Sequence, residues 1–258
     1  MKFLKLAFLF LLGAIPAQAD DLKSFAAGLD QTLRHVNRSG YSKPCSSEEF
    51  TTSSSRLGVY QGKKVTIVSE ADAQKIFADL KNHSEIPYDF SFGGCEERAH
   101  EMSRLMMLKG ITPLKGFASV DESKAPRLQI PHPTKKGEYI QWKYHVAPVI
   151  LVAKNGELVP YTLDPSLAKK AIPTSEWLAE MTRHDPKMKV KMTFAPAMQY
   201  DVDGRIRINM TDKDFNQSIQ DTLKDLKKKS QDPNGEAEYY FEKTRIEETV
   251  NMMDSGGY

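Results

Sequence analysis

The chain is poor in the residues that build metal centres and phosphate cradles. It holds two cysteines in 258 residues, Cys45 and Cys95, and six histidines with no partner at ligand spacing. It has no H-E-x-x-H run and no paired-cysteine pattern, which argues against the common zinc signatures. No glycine-rich phosphate loop, internal repeat or basic block occurs. The 36 basic and 34 acidic residues nearly cancel, so the charge balance gives no reason to expect nucleic acid as a partner. Beyond the N-terminus, no apolar run is long enough to cross a membrane.

The N-terminus itself is a secretory signal. Lys2 and Lys5 flank the start of the apolar run Leu6–Leu12, and Ala17-Gln18-Ala19 is an A-x-A cleavage site. The mature chain is expected to start near Asp20, with as many acidic as basic residues and no membrane anchorage after cleavage. Two cysteines in an exported chain permit a Cys45–Cys95 disulfide. One bridge contributes only roughly 2–4 kcal/mol, and a chain of this length can bury an adequate core without it. Cys45 lies in the polar, Ser/Thr-rich stretch 41–56, read as a loop, and its role stays open.

Cys95 is the other candidate for chemistry. Gly93-Gly94 runs straight into an amphipathic segment, so the thiol sits at a helix N-terminus, where free amides and the helix dipole favour a thiolate. Ala99, Met102 and Met106 share its face, so the thiol points towards the core; the methionines read as packing. Glu96 and Glu97 favour the helix but oppose the thiolate, so a nearby cation is required. Gly110 ends the helix.

The remaining patterns place the other elements. Leu22–Val36 is helical by its apolar spacing, Gly58–Val68 reads as two short strands around Gly62, and Ser69 with Asp72 forms a weak capping box. Ala73, Ile76, Phe77 and Leu80 are the buried stripe of that helix, and residues 82–92 are a loop. A strand is expected at Leu114–Val120, then a Pro/Lys-rich loop, then a strand buried on both sides from Trp142 to Val152. Lys154-Asn155-Gly156-Glu157 is a hairpin turn returning through Leu158–Leu163. A helix over Thr174–Thr182 is capped by Thr174 or Ser175. Further strands are expected at Lys189–Phe194 and around Asp203-Gly204. Phe215, Ile219, Leu223 and Leu226 stripe a C-terminal helix; 232–235 breaks it, and a second helix runs to about Met253. The expected organisation is 1–19 signal peptide, 20–55 N-terminal helix and Ser/Thr-rich segment (a candidate pro-region), 56–210 catalytic domain, and 211–258 C-terminal helical pair.

The hairpin carries a geometric statement. A two-residue Asn155-Gly156 turn sets Ala147 opposite Asp164, so His145 and Asp164 become diagonal neighbours on one face, about 7–8 Å apart at the backbone. A register shift of one residue would separate them, and Pro148 and Pro160 leave room for a bulge. Cys95, His145 and Asp164 then form a nucleophile, base and orienter set, in which the His145 imidazolium is expected to supply the cation that the thiolate needs. The bland alternatives are a hydrogen-bonded core histidine and a turn at Asp164-Pro165-Ser166.

Three segments carry a family resemblance. Gly94-Cys95-Glu96-Glu97-Arg98-Ala99-His100-Glu101-Met102 resembles the G-C-x-x-R-A-H-x-M segment of bacterial secreted protein glutaminases, the protein-glutamine deamidases. Trp142–Ala147 is similar to their W-x-Y-H-V-A strand, and Leu163-Asp164-Pro165-Ser166-Leu167 to their D-P-S-L segment, in the same order. The resemblance covers roughly residues 85 to 180. It implies an α+β, papain/transglutaminase-like fold, with a helix-borne cysteine packed against an antiparallel sheet carrying His and Asp. It also implies Cys95 as nucleophile, His145 as general base and Asp164 as orienter. Arg98, Ala99, His100 and Met102 match as structural residues. The implied activity is hydrolysis of glutamine carboxamides in proteins or peptides through a Cys95 thioester, with no cofactor. The protein is expected to be a monomer and to be secreted or periplasmic. A transglutaminase, a cysteine peptidase and a non-catalytic exported binding protein on the same fold are the alternatives.

Overall fold

A computed structural model describes residues 55–121, 127–132, 135–204, 206, 208 and 211–243. The chain divides into two units, Met1–Glu48 and Glu49–Tyr258, and every described residue belongs to the second. The signal peptide, the Leu22–Val36 helix, Cys45 and the end of the last helix lie outside the described residues.

The elements follow local chemistry. Strands β1 (Arg56–Tyr60) and β2 (Lys63–Ser69) form the first hairpin. Ser69 then caps α1 (Glu70–Lys81), its Oγ accepting from the Asp72 amide at 3.1 Å and donating to the Asp72 carboxylate at 2.8 Å. Ala73, Ile76, Phe77 and Leu80 are all buried on one side of it, as their spacing requires. Helix α2 (Cys95–Leu108) follows a loop, then β3 (Leu114–Ser119).

The stretch expected as a Pro/Lys-rich loop instead contains a small separate sheet, β4 (Leu128–Pro131) paired with β5 (Tyr139–Trp142). Each strand has four residues, too few for alternation to stand out from the surrounding Pro and Lys. Leu128 and Ile140 nevertheless bury fully or nearly so. Strand β6 (Tyr144–Lys154) is buried from His145 to Val152. It returns through β7 (Glu157–Thr162), which pairs with the two-residue β8 (Ile172–Pro173) ahead of α3 (Thr174–Thr182). The residue preceding α3 is Pro173, and no side chain caps the helix, contrary to the expected Thr174 or Ser175. The Thr174 hydroxyl is engaged elsewhere, with Thr162 Oγ1 at 3.0 Å and the Pro160 carbonyl at 3.1 Å.

Strand β9 (Lys191–Pro196) pairs with β3. Around Gly204 the described residues form a turn and no strand; the Tyr200 amide donates to the Ile206 carbonyl. Helix α4 (Lys213–Gln231) is capped by Asp212, and a further helical segment begins at 235.

Strand β6 organises the seven-stranded sheet. It pairs antiparallel with β3 along Tyr144–Val149, antiparallel with β7 along Val149–Lys154, and parallel with β2 along Leu151–Ala153. Its side chains alternate. Val146, Ile150 and Val152 pack with α1 and α2; Ala147 packs with Trp177 of α3, and Val149 and Leu151 with Val65 and Phe194. The result is an α+β fold in which α2 lies on a mainly antiparallel sheet. No helix among the described residues is long and apolar enough to cross a membrane.

Candidate active site

The turn between β6 and β7 fixes the first half of the site. Asn155 and Gly156 both have positive φ, 51° and 82°, the backbone of the two-residue hairpin turn that Asn-Gly favours. The ladder runs without a bulge from Lys154↔Glu157 to Val149↔Thr162, despite Pro148 and Pro160. The Leu163 amide extends it, donating to the Pro148 carbonyl at 2.9 Å. His145 and Asp164 thereby share a face and meet side chain to side chain, with His145 Nε2 2.8 Å from Asp164 Oδ2.

This pair is closed off from water: His145 is 2% exposed and Asp164 3%. Asp164 Oδ2 also accepts from Trp177 Nε1 at 2.9 Å, and Oδ1 accepts from the Ser166 amide at 3.1 Å and from the Ser166 hydroxyl. Burial by itself would push the carboxyl up. The neighbouring His145 and the donors from His145, Ser166 and Trp177 outweigh it and hold Asp164 down at about 2. An ionised carboxylate only accepts, so Nε2 carries the shared hydrogen, and in the neutral ring Nδ1 is the basic nitrogen. Nδ1 is buried with no hydrogen-bond partner among the described residues. Trp142 stacks on the imidazole at 4.9 Å and 20°, with Trp177 at 5.7 Å. Trp142 is held in turn by its Nε1 donating to the Ser91 carbonyl at 3.2 Å.

Cys95 opens α2 as expected. Gly94 precedes it with φ 74° and offers no side-chain cap, so the first-turn amides keep no side-chain acceptor at that position. Arg98 secures the approach, donating from Nη1 to the carbonyls of Phe90 at 2.9 Å and Gly93 at 2.7 Å. Ala99 packs beside Cys95, Met102 belongs to the core under α1, and His100 Nε2 meets Asn216 Oδ1 at 3.0 Å. Arg98, Ala99, His100 and Met102 are thus engaged in packing and hydrogen bonds. Cys95 is a free thiol, 9% exposed.

The structure joins His145 to Asp164 and leaves Cys95 apart from them. Cys95 packs with Phe117 and Val146, on the α2 side of the sheet. His145 belongs to the alternate row with Ala118, its cross-strand partner, and Ala147. Cys95 Sγ donates to Glu96 Oε2 at 3.0 Å, and the Tyr144 hydroxyl donates to Glu96 Oε1. Burial, the Glu96 charge and that hydrogen bond all push the thiol well above its ordinary value, with Glu97 adding and Arg98 opposing. The expected conflict between the thiolate and the first-turn acids is thus present in the geometry.

Sequence reasoning missed several contributors. Ser166 and Trp177 as donors to Asp164 were not foreseen; the Asp-Pro-Ser turn was the signal for Ser166. Tyr144 and Lys115 escaped as well. Lys115 is fully buried on β3.

Comparison with known proteins follows the same segment. Residues 73–181 match the family described as Glutaminase. No curated protein matches the chain by sequence. Among solved structures, the protein-glutaminase of Chryseobacterium proteolyticum is similar at 19% identity and a TM-score of 0.47, over 55% of this chain and 82% of that one. A pro-protein-glutaminase is similar at 17% identity and 0.49, over 80% and 68%. A further protein-glutaminase structure gives 21% and 0.42, over 51% and 73%. The matched segment is the one that carries Cys95, His145 and Asp164, and it is there that the chain is similar to the glutaminase family.

Proposed function

We propose that the protein deamidates glutamine side chains in proteins or peptides, with Cys95 as nucleophile, His145 as general base and Asp164 as the residue that orients the imidazole. The observation that carries this is the buried His145–Asp164 pair, which fixes one ring nitrogen on a carboxylate and leaves Nδ1 unpartnered. An imidazole held this way is set to take and return a proton.

In the proposed cycle Sγ leaves Glu96 and meets Nδ1, which accepts its proton. The thiolate attacks the carboxamide carbon, and the free amides of the first turn of α2 receive the developing oxyanion. The protonated imidazole gives its proton to the departing nitrogen, releasing ammonia and leaving a thioester. Water, deprotonated at Nδ1, then hydrolyses the thioester to glutamate. Breaking the bond from Sγ to Glu96 is a required step, because the resting thiol is committed to that carboxylate. The N-terminal pattern from Lys2 to Ala19 supports export as the setting.

The test is incubation with a glutamine-containing peptide. Ammonia release, with conversion of the side-chain amide to the acid and no cleavage or cross-linking, is the expected result. Backbone cleavage would make the protein a peptidase, and amine incorporation a transglutaminase. Cys95→Ala and His145→Ala are expected to fold and to lose turnover. Full activity in either variant would overturn the assignment.

A further inference from the structure

A buried lysine lies beneath the first turn of α2. Lys115 is fully buried, and its Nζ has no hydrogen-bond acceptor among the described residues. Such a group is costly to hold unless other charges compensate. Its position is fixed by register. Lys115 pairs with Ala195 across β3 and β9, and Ala195 packs with Cys95, Phe117 and Val146. Nζ stands over the Tyr200 ring, 5.7 Å from its centre, and the Tyr200 hydroxyl donates to Glu97 at 2.6 Å.

We propose that Lys115 is the positioning cation of this site, its ammonium offsetting the Glu96 and Glu97 carboxylates so that Cys95 can ionise. The inference rests on Cys95 being the nucleophile and supplies the cation that the two first-turn acids demand. The groups around the thiol can be enumerated. From α2 come Glu96, Glu97, Arg98 and His100; from β6, Tyr144; from the turn after β9, Tyr200; and from the 235–243 segment, Tyr239. Burial and then Lys115 push His100 down to about 4, so it is neutral near pH 7. The tyrosines are pushed upward by burial, where a shift is present, and bring no positive charge. Arg98 commits Nη1 to two backbone carbonyls. Besides Arg98, Lys115 is the cation that the described residues set against this acid pair. Burial lowers it to about 7, against the pull of Glu96, Glu97 and Cys95. Its charge is therefore sensitive to whether those partners are ionised.

The test is the rate of Cys95 alkylation by iodoacetamide against pH, quantified on the Cys95 peptide by mass spectrometry. In folded Lys115→Met the profile should move to higher pH by at least one unit, about tenfold slower labelling near neutrality. Lys115→Arg should stay close to the wild type. A purely structural role would lower the melting temperature and leave the profile in place, and that result overturns the proposal. Should Lys115→Met fail to fold, the lysine is titrated by NMR in wild-type protein before and after alkylation of Cys95. Loss of the thiolate should lower the Lys115 midpoint; an unchanged midpoint overturns the proposal. Labelling does not require turnover, so an active Cys95→Ala enzyme would refute the catalytic assignment separately.

Discussion

At the scale of the residue, Asp164 is held from several sides at once. It accepts from the His145 ring, the Trp177 indole, and the amide and hydroxyl of Ser166. Its carboxyl is lowered from 3.8 to about 2, so its stabilising effect is complete above pH 4 and fades as pH falls towards the folded value. Between about pH 4 and pH 2, urea unfolding of the wild type should lose about 2 kcal/mol that Asp164→Asn does not lose over the same range. Trp177→Phe removes one donor from the buried carboxylate and should cost about 1–3 kcal/mol in the same measurement near pH 7. The pairing of His145 with Asp164 was legible because a hairpin converts sequence distance into cross-strand position. Trp177 was not, because it reaches Asp164 through the packing of α3 on the sheet. Lys115 was hidden for another reason: a lysine inside a short strand reads as its solvent face, and only the packing of Cys95 and Tyr200 on this row shows that it is covered.

At the scale of the element, the start of α2 depends on its glycines. A side chain at Gly93 would overlap the Tyr239 hydroxyl, and one at Gly94 would meet Leu226 of α4. Gly93→Ala should therefore loosen the 235–243 segment, visible as faster amide exchange there while β6 and β7 keep their protection; unchanged exchange would show that the fit is not needed. The β6–β7 turn is a second dependent point. Gly156→Val forces a branched side chain into positive φ, and a loss of about 1–2 kcal/mol in stability is expected from denaturant unfolding. Elements with strong local chemistry were readable: the Ser69 box, the Asn-Gly turn and the α2 stripe. The β4–β5 pair was not, since four-residue strands are defined by their partner. The uncapped start of α3 also could not be read, because the hydroxyl of Thr174 is claimed by Thr162 and Pro160.

At the scale of the whole molecule, the C-terminal helices wall the site from outside the matched family segment. Tyr239 packs its ring on Phe90 at 5.4 Å, Glu236 pairs with Lys135 at 2.6 Å and His132 at 3.3 Å, and Lys229 joins α4 to Glu242 at 3.0 Å. The surroundings of Cys95 thus come from α2, β3, β6, β9, the Tyr200 turn and the last helical segment, pieces that only tertiary packing assembles. The hydrogen bond from Sγ to Glu96 has a consequence for survival as well as for reactivity. Peroxides oxidise the thiolate far faster than the thiol, through sulfenic acid to irreversible products. On the proposed assignment, a nucleophile kept protonated between turnovers is largely spared that damage. An enzyme working where oxidants are abundant would then lose activity in step with its use, while idle molecules keep their thiol intact.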